Sequence, residues 1–384
     1  MRGTGSFAAD HRPENYREKY LMLEPNGSAP LTAILSMLPS ESTDDPEFHN
    51  FRKDLPSFTF THSGTATTSG TTLTASAAGD AAFFRVGMLI RNFRTGEVAK
   101  ITALPSATTF TVTRGVGNGG TGVAILANDA WFMVGNGNAE GGDTPTSVSY
   151  DAASTENFCQ IFRTPYSITR TAMHTNFRTG DQYLEKSRDA LKEHMVGMER
   201  AMLFGKKDIV AGSAGMPERY TDGIFNSITT NVQDAGSSSN ILTEAGFDTF
   251  LAEKAFAFGS SEKLMLCGWK VAEHLQTLAK SRYQINSTGT GDSYGVNFTT
   301  YNTFAGTLQV KTHPMFRQIP GAQFDAIILD TKDLRYRYID DTSLLKDRQG
   351  NGVDGVTDEY LTEAGLEILQ EKTHAVISSW QSLT

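Results

Sequence analysis

The chain has 384 residues, of which 39% are hydrophobic and 20% are charged, with a formal net charge of −9. A chain of this length and composition can bury one large core or two to three smaller ones, which excludes a wholly disordered protein. The acidic balance and the lack of a basic cluster exclude a protein that grips nucleic acid tightly, and leave open only weak, non-specific contact with DNA.

Residues 1–45 form a polar N-terminal arm with one apolar patch. The first twenty residues contain no apolar run, so we expect no signal peptide, and no stretch of about 18 apolar residues suggests a membrane span. Apolar residues recur at helical spacing between Pro30 and Pro39: Leu31, Ile34, Leu35 and Leu38. This spacing predicts a short amphipathic helix. Such an arm is either a disordered tail or a segment that docks on the body of the protein or on a partner.

An acidic segment, "ESTDDPEFHNFRKDL", follows at 41–55 and carries five carboxylates in fifteen positions. Asp44 and Asp45 are neighbours, so their side chains point apart and form a poor catalytic pair. We interpret the segment as a surface loop that meets a basic partner.

Residues 57–142 are rich in Thr, Ser, Ala and Gly. In "TTFTVTRG", Phe110 and Val112 fall on one face and the threonines on the other, as a half-buried strand requires. Several short strands at this spacing predict a small antiparallel barrel or sandwich. Since polar, glycine-rich segments precede and follow it, we expect this β-module to be an insertion in a loop of something larger.

The run "RGVGNGGTG" places Gly115, Gly117 and Gly120 at the G-x-G-x-x-G spacing of dinucleotide-binding loops. Such a loop must be followed by a helix whose N-terminus holds the phosphates, and the continuation "VAILANDAWFMVG" is too short and interrupted. Asn118-Gly119 is typical of a tight hairpin turn. We therefore predict a hairpin loop, and an NAD-dependent enzyme stays a hypothesis that depends on these glycines alone.

A long amphipathic helix is predicted at 179–205. Thr179 and Gln182 have the spacing of a capping box, and Gly205 is placed to end the helix. Apolar residues fall within one narrow stripe: Leu184, Leu191, Met195, Met198 and Met202. This stripe predicts a helix laid across a sheet, with His194 packed at its border rather than binding a metal.

Helical and strand patterns are mixed through residues 241–340. "LTEAGFDTFLAEKAFAFG" and "WKVAEHLQTLAK" predict helices, whereas "KLMLCG" and "FDAIILD" predict buried strands. "GVNFTTYNTFAGTLQVKTH" predicts two strands joined by a hairpin. "GLEILQEKTHAVISSW" predicts a strand that returns to the sheet under the long helix. The fold class is therefore α+β.

We find no catalytic constellation in the sequence. The eight histidines are scattered, and Cys159 and Cys267 lie far apart, which suits a reducing cytoplasm and no disulfide framework. "DRQGNGVDGVTD" approaches a calcium loop, but Gln349 occupies position three and Asp358 replaces the bidentate Glu, so we interpret it as a solvated acidic loop. We expect no catalytic residue, cofactor or metal, and so no enzyme.

The order of the segments resembles the major capsid proteins of tailed phages, of the Hong Kong 97 type. "APLTAILSMLPSESTDDPEFHNF" resembles the N-terminal arm and the entry to the extended loop in one branch of that family. "FRVGMLIRNFRTGEVAKITALPSATTFTVTRGVGNG" resembles the β-module that this branch inserts in the extended loop. "RTAMHTNFRTGDQYLEKSRDALKEHMVGMERAMLFGKK" resembles its spine helix. The resemblance covers most of the chain.

The resemblance implies a phage capsid fold and its division into parts. These are an N-terminal arm at 1–45, an extended loop at 46–165 that carries the β-module of 57–142, a peripheral domain at 166–240 with the spine helix, an axial domain at 241–340, and a return to the peripheral domain at 341–384. The family has no cofactor and no conventional active site.

The resemblance also implies a function: a structural subunit that self-assembles into hexamers and pentamers of an icosahedral head enclosing double-stranded DNA. It implies a virion protein assembled in the host cytoplasm, with a separate scaffolding protein, a portal and decoration proteins as partners. The alternative is another virion component, a decoration or tail protein whose β-module binds a partner or a glycan. The candidate inter-subunit contacts are Leu31, Ile34, Leu35, Asp44, Asp45, Glu47, Phe48, Phe51 and Arg52.

Overall fold

The computed structural model of the chain describes residues 29–77, 80–141, 145, 147, 151–177, 180–212, 215–235, 243–282 and 299–380. Residues 1–28 of the predicted arm and Thr179 of the predicted capping box lie outside these ranges. The chain divides into two compact units, one of Lys53–Ala153 and one built from the chain on either side of it. The smaller unit contains the whole of the predicted β-module.

The described strands before residue 170 are β1 (Ser40–Ser42), β2 (Glu47–Arg52), β3 (Thr59–Thr61), β4 (Thr72–Thr74), β5 (Met88–Asn92), β6 (Val98–Ala103), β7 (Thr109–Thr113), β8 (Ala130–Asn136), β9 (Ala153–Phe158) and β10 (Gln160–Thr169). Those after it are β11 (Asp208–Ala211), β12 (Pro217–Tyr220), β13 (Val232–Asp234), β14 (Glu262–Cys267), β15 (Thr299–Asn302), β16 (Thr307–Thr312), β17 (Ala326–Leu329), β18 (Leu334–Leu345), β19 (Gly355–Ile368) and β20 (Ala375–Ser378).

The described α-helices are α1 (Ala33–Met37), α2 (Arg170–His174), α3 (Gln182–Phe204), α4 (Ile224–Ser227), α5 (Glu244–Phe250), α6 (Trp269–Arg282) and α7 (Met315–Gln318). α5 continues directly into a π-helical turn, Leu251–Ala255. No helix in the described ranges combines the length and the apolar character that crossing a membrane requires. Mixed strands and helices confirm the α+β class.

The unit Lys53–Ala153 is a six-stranded antiparallel sheet in the order β3-β8-β5-β6-β7-β4. Its two edge strands are joined by a bridge between His62 and Ala75 and by a hydrogen bond of 2.8 Å from the Ser63 N–H to the Thr74 carbonyl. Phe110 and Val112 are buried, which confirms the strand faces predicted from alternation. They pack in a core that belongs to this unit alone.

The glycine run adopts turn conformations but does not form the predicted hairpin. Gly115, Gly117, Gly119 and Gly120 all have positive φ, and no helix follows them within this unit's described residues. β7 pairs with β6 and β4, whereas β8 pairs with β3 and β5, so the run connects strands that are not partners.

The larger unit contains a six-stranded mixed sheet, β13-β20-β17-β14-β16-β15, that is buried on both faces. Along β14, Leu264 and Leu266 face the core shared with α3, whereas Met265 and Cys267 face the core shared with α5 and α6. This follows from the period of two in a strand: continuous apolar residues supply both faces. The predicted strands and helices of "KLMLCG", "FDAIILD" and "WKVAEHLQTLAK" are confirmed.

A second sheet, β1-β18-β19-β10, lies against α3 in the larger unit. β18 and β19 form a long antiparallel hairpin, β10 extends it antiparallel, and β1 of the arm adds to its other edge in parallel. The C-terminal segment predicted to return under α3 divides between the sheets. β19 lies under α3, but β20 joins the six-stranded sheet, because its apolar residues fit between β17 and β13.

The bounds of α3 agree with the sequence prediction, but its cap and buried face differ. Asp181, not Thr179, is the N-cap, and its carboxylate accepts the N–H groups of Tyr183 and Leu184. Gly205 ends the helix as predicted. Leu184 and Leu191 of the predicted stripe are 51% and 37% exposed. The stripe is buried only toward the C-terminal end, at Met198 and Met202, where α3 meets the six-stranded sheet.

Candidate inter-subunit surface

β2 supplies the most accessible of the predicted contact residues. It pairs with β9 in a two-stranded ribbon, next to a hydrogen bond of 2.7 Å from the Cys159 N–H to the Pro46 carbonyl. Because side chains alternate along a strand, Phe48 is buried and Phe51 is 75% exposed. An exposed phenylalanine on a fixed strand is apolar surface that a neighbour can cover.

The inward face of β2 is fixed to the body of the larger unit. The Asn50 side-chain amide donates to the carbonyls of Ile368 (2.8 Å) and Leu369 (3.1 Å). Arg52 Nη1 lies 3.3 Å from a carboxylate oxygen of Glu371. β2 is therefore held by the end of β19 and the turn after it, and its outward face is presented in a defined orientation.

Glu371 anchors a second segment as well. Its Oε1 accepts the backbone N–H groups of Thr229 and Thr230, each at 2.6 Å. Burial alone would raise the pKa of Glu371, but these hydrogen bonds outweigh it and the pKa is lowered. The carboxylate therefore stays ionised at neutral pH and holds Arg52.

The outward side of this region is acidic. Asp44 and Asp45 are exposed, and Asp45 Oδ1 accepts the Glu47 N–H at 2.9 Å. Glu47 Oε1 lies 3.1 Å from His49 Nε2, and both side chains are exposed. The accessible surface thus combines carboxylates with the ring of Phe51, which suits a partner surface of basic and apolar side chains.

The predicted arm contacts lie elsewhere. Ile34 is 2% exposed and packs in the chain's own core beside Met198 and Met202. Leu31 and Leu35 are partly buried against the same core. The structure therefore accounts for these three residues and for Phe48 within one chain, and leaves Asp44, Asp45, Glu47, Phe51 and the half-buried Arg52 accessible.

Within the described ranges, one group of three metal-ligating side chains converges: Glu47, His49 and Glu156, with ligand atoms within 4.8 Å of one another. All three are exposed, and Lys207 Nζ lies 3.4 Å from Glu156 Oε1. The Lys207 ammonium already neutralises the Glu156 carboxylate. Surface ion pairs therefore account for this group as well as a cation site would.

The acidic loop "DRQGNGVDGVTD" joins β18 to β19. Asp358 is buried, and its carboxylate accepts the Asp347 N–H (2.9 Å) and the hydroxyls of Tyr166 (3.3 Å) and Tyr183. Its oxygens are engaged in hydrogen bonds that tie the hairpin to α3. The predicted solvated acidic loop is therefore found only in part: residues 351–354 are exposed, whereas Asp358 is buried within β19 because it accepts these hydrogen bonds.

A polar layer between α3 and its sheet was missed by the sequence reasoning. His194 Nδ1 lies 3.0 Å from Thr164 Oγ1 on β10, and Nε2 lies 2.8 Å from Thr362 Oγ1 on β19. Ser187 bonds the Tyr360 hydroxyl at 2.8 Å. Burial lowers the pKa of His194, so it is neutral at neutral pH. The signal was present: Tyr183, Ser187, Ala190 and His194 recur at helical spacing.

Two further groups with lowered pKa values, His374 and Lys263, are also interior. Burial lowers the pKa of His374 to about 4, and its Nδ1 accepts the Asp330 N–H at 3.1 Å. Burial also lowers the pKa of Lys263, whose Nζ donates to the carbonyls of Phe258 (2.8 Å) and Thr373 (2.5 Å). Because their partners are backbone groups in a packed core, His374 and Lys263 have a structural role.

The chain is similar in sequence to known proteins over nearly its whole length. The family described as "SU10 major capsid protein" matches residues 3–381. The major capsid protein of Pseudomonas phage PaMx41 is 26% identical over 389 aligned positions, covering 93% of this chain and 90% of that relative.

Among solved structures, the capsid of a native GTA particle matches with a TM-score of 0.50 and 8% identity, over 98% of this chain and 97% of that chain. A chain from Mycobacterium phage Bobi matches with a TM-score of 0.48 and 9% identity over 100% of both chains. At 8% identity the likeness to the GTA capsid concerns the fold. Because the family correspondence extends over nearly the whole length, the chain belongs to the SU10 major capsid protein family and is a structural capsid protein.

Proposed function

We propose that this chain is the shell-forming subunit of a tailed-phage head of the Hong Kong 97 type, assembling as hexamers and pentamers around double-stranded DNA. The observation that carries the proposal is the family correspondence over residues 3–381. The fold likeness to the GTA capsid over nearly the whole chain supports it. A closed shell requires each copy to present the same surfaces to several neighbours, which suits a protein with an arm and a separate second unit.

In this proposal the parts of the chain keep the roles implied by the resemblance. Lys53–Ala153 is the β-module inserted in the extended loop of 46–165, and its hydrogen-bonded edge strands favour a small barrel. α3 is the spine helix of the peripheral domain. Residues 241–340 are the axial domain, supported by the six-stranded sheet to which they contribute four strands, β14 to β17. Residues 341–384 return to the peripheral domain through β19, although β20 belongs to the other sheet.

The outward face of β2 and the acidic turn before it form the inter-subunit contact in this proposal. Phe51 is its apolar residue, Glu47 lies on the same face of the strand, and Asp44 and Asp45 lie in the turn before it. Arg52, half-buried and held by Glu371, borders this surface. Interfaces commonly place an aromatic side chain inside a polar rim. The partner surface is therefore basic and apolar, and belongs to a second copy of this chain.

The remaining parts of the proposal concern localisation, assembly partners, contact with DNA and the absence of catalysis. We propose a virion protein, assembled in the host cytoplasm with a separate scaffolding protein, a portal and decoration proteins. The net charge of −9 opposes tight binding to packaged DNA, so we propose only weak, non-specific contact with it. We propose that the protein is not an enzyme; in support, two buried groups with lowered pKa values, His374 and Lys263, are packed against backbone groups.

Electron microscopy and analytical ultracentrifugation of the chain co-produced with its phage's assembly proteins test the proposal. We expect closed shells in which this chain is the most abundant protein. Phe51→Ser should lower the yield of shells at least about tenfold while leaving the soluble chain folded, because it removes an interface anchor. Phe93→Ser, at an 80% exposed phenylalanine in the smaller unit, is the matched control. Chains that stay monomeric at every concentration, or a minor copy number in particles, would contradict a shell subunit.

A further inference from the structure

The short helix of the arm lacks a cap of its own. α1 has five residues, and the side chain of its N-cap residue, Thr32, makes no capping hydrogen bond. The first N–H groups of any helix have no partner within the helix, and a helix of this length is not stable in isolation. Ala33 and Ile34 are nevertheless buried, so α1 must obtain its stability from the body of the protein.

A buried carboxylate on α3 supplies the missing acceptors. Glu199 Oε1 accepts the Ile34 N–H at 2.8 Å, and Oε2 accepts the Leu35 N–H at 3.1 Å. The Glu199 side chain is fully buried, although it lies on the same helix as several exposed charged residues. A carboxylate in the interior is costly unless it is hydrogen-bonded, and hydrogen bonds to an ionised acceptor are the strong ones.

His313 faces the same carboxylate from the other side. Its Nδ1 accepts the Met315 N–H at 3.2 Å, so in the neutral ring the proton is on Nε2. Nε2 lies 3.4 Å from Glu199 Oε1, and both side chains are fully buried. This distance is long for a hydrogen bond, so the imidazole is a close polar neighbour of the carboxylate rather than a hydrogen-bond donor to it. Glu199 thus accepts two N–H groups of the arm and has the His313 ring on its other side.

The arm is also held by backbone hydrogen bonds and by an ion pair of 3.0 Å between Glu41 Oε1 and Arg337 Nη1. The Ala29 N–H donates to the Thr312 carbonyl (3.0 Å), the Tyr336 N–H donates to the Pro39 carbonyl (3.0 Å), and β1 pairs with β18. These bonds fix the path of the arm before and after α1. They do not supply a charged acceptor to the helix itself.

We propose that Glu199, with His313 behind it, is an arm clasp: a buried site that binds the two free N–H groups at the start of α1 and makes the folding of residues 32–38 depend on docking. The dependence is mutual. An undocked arm has an uncapped turn that cannot hold its helix, and an empty clasp leaves a buried carboxylate without the two N–H donors of the arm. The arm is therefore either docked and helical or released and unfolded. This inference does not depend on the proposed shell, since the clasp lies within one chain.

Hydrogen exchange of the unassembled full-length chain, read by mass spectrometry with fragmentation near single residues, tests the clasp. In Glu199→Gln, the amides of residues 33–38 should exchange at least about tenfold faster than in the unsubstituted chain, because loss of a hydrogen bond to a charged group shifts local opening by that order. The amides of the β18–β19 hairpin should not change. Glu193→Gln, at an exposed glutamate of the same helix, is the control and should leave α1 protected.

A second pair of variants changes the arm instead of Glu199. The clasp therefore remains testable even if the Glu199 variant misfolds. Leu35→Pro removes the N–H that Oε2 accepts, and Leu35→Ala keeps it while losing more of the side chain. We expect α1 to exchange faster in Leu35→Pro than in Leu35→Ala. Equal protection of α1 in both members of either pair would overturn the clasp, whatever the outcome of the shell assays.

Discussion

Arg114 and Glu97 form a doubly hydrogen-bonded ion pair inside the unit Lys53–Ala153, with 3% and 2% of their side chains exposed. Nε lies 2.5 Å from one carboxylate oxygen and Nη2 lies 2.6 Å from the other. The carboxylate also accepts the N–H groups of Gly115 (3.2 Å) and Val123 (3.0 Å). The glycine run, which begins at Arg114, therefore folds around a buried ion pair instead of around a phosphate.

Replacing Glu97 by Gln should destabilise this unit by about 3–5 kcal/mol, because the guanidinium would remain buried without its counter-charge. Burial alone would raise the pKa of Glu97, but the hydrogen bond from Arg114 and those from the backbone lower it, so the pair is ionised at neutral pH. The free energy of opening can be measured by native-state hydrogen exchange of the amides of β5–β8. The double variant Glu97→Met/Arg114→Met should lose less than Glu97→Gln, since it leaves no unpaired charge. The reverse order would refute the argument.

Two glycines of the run allow the cost of a left-handed backbone conformation to be measured apart from the cost of steric crowding. Gly115 and Gly119 have nearly the same φ, +64° and +62°. A Cβ on Gly115 would lie 2.5 Å from the Thr121 nitrogen, whereas one on Gly119 would meet nothing within 4 Å. Gly119→Ala should cost about 1–2 kcal/mol, the penalty of a left-handed conformation, and Gly115→Ala about 3 kcal/mol or more, because the turn must also open. Urea unfolding of both variants measures the difference, and equal losses would mean that crowding is irrelevant.

Features that depend on neighbouring residues could be predicted from the sequence. Features that depend on a contact with a distant part of the chain could not. The alternation of Phe110 and Val112 and the end of α3 at Gly205 could be inferred because each depends on neighbouring residues. The hairpin at Asn118-Gly119 was wrong because strand pairing, not the turn, decides which strands meet. The cap at Asp181 was missed because the prediction followed the capping-box spacing of Thr179 and Gln182.

The buried face of α3 shows the same limit. Hydrophobicity selected Leu184 and Leu191, but the sheet beneath offers hydroxyl groups from Thr164, Thr362 and Tyr360, so a polar face of the helix is buried there. Glu199 was not singled out for a related reason. Its partners, the Ile34 and Leu35 N–H groups, stand more than 160 positions away in the chain, and no spacing rule links them.

Substitutions on the two faces of α3 should therefore differ in how much they destabilise the chain. His194→Ala should cost about 2–4 kcal/mol, since it leaves a cavity and removes the partner of the half-buried Thr164 and the buried Thr362 hydroxyls. Leu191→Ala should change stability by no more than about 0.5 kcal/mol in the unassembled chain, because the side chain is partly exposed. Chemical denaturation of the two variants measures both values. A larger loss at Leu191 than at His194 would mean that the hydrophobic stripe, and not the polar layer, is the packed face.

The larger unit should lose stability as the pH falls from about 6.5 to about 4, and His374 should account for a defined part of that loss. Burial is the main cause that lowers the pKa of His374 from 6.5 to about 4, and the nearby Lys263 adds to it. The unfolded chain therefore binds a proton in this window that the folded chain does not, so folding weakens by up to about 1.4 kcal/mol per pH unit.

His374→Asn keeps an acceptor for the Asp330 N–H and cannot titrate, so its urea midpoint should fall less steeply between pH 6.5 and 4.5 than that of the unsubstituted chain. Other buried histidines, among them His194 and His274, also have lowered pKa values and leave a residual slope. His174→Asn, at an exposed histidine of α2, should keep the full slope. If the His374→Asn and unsubstituted curves are parallel across the window, the imidazole of His374 already carries a proton in the folded chain, and the acid sensitivity of this unit has another origin.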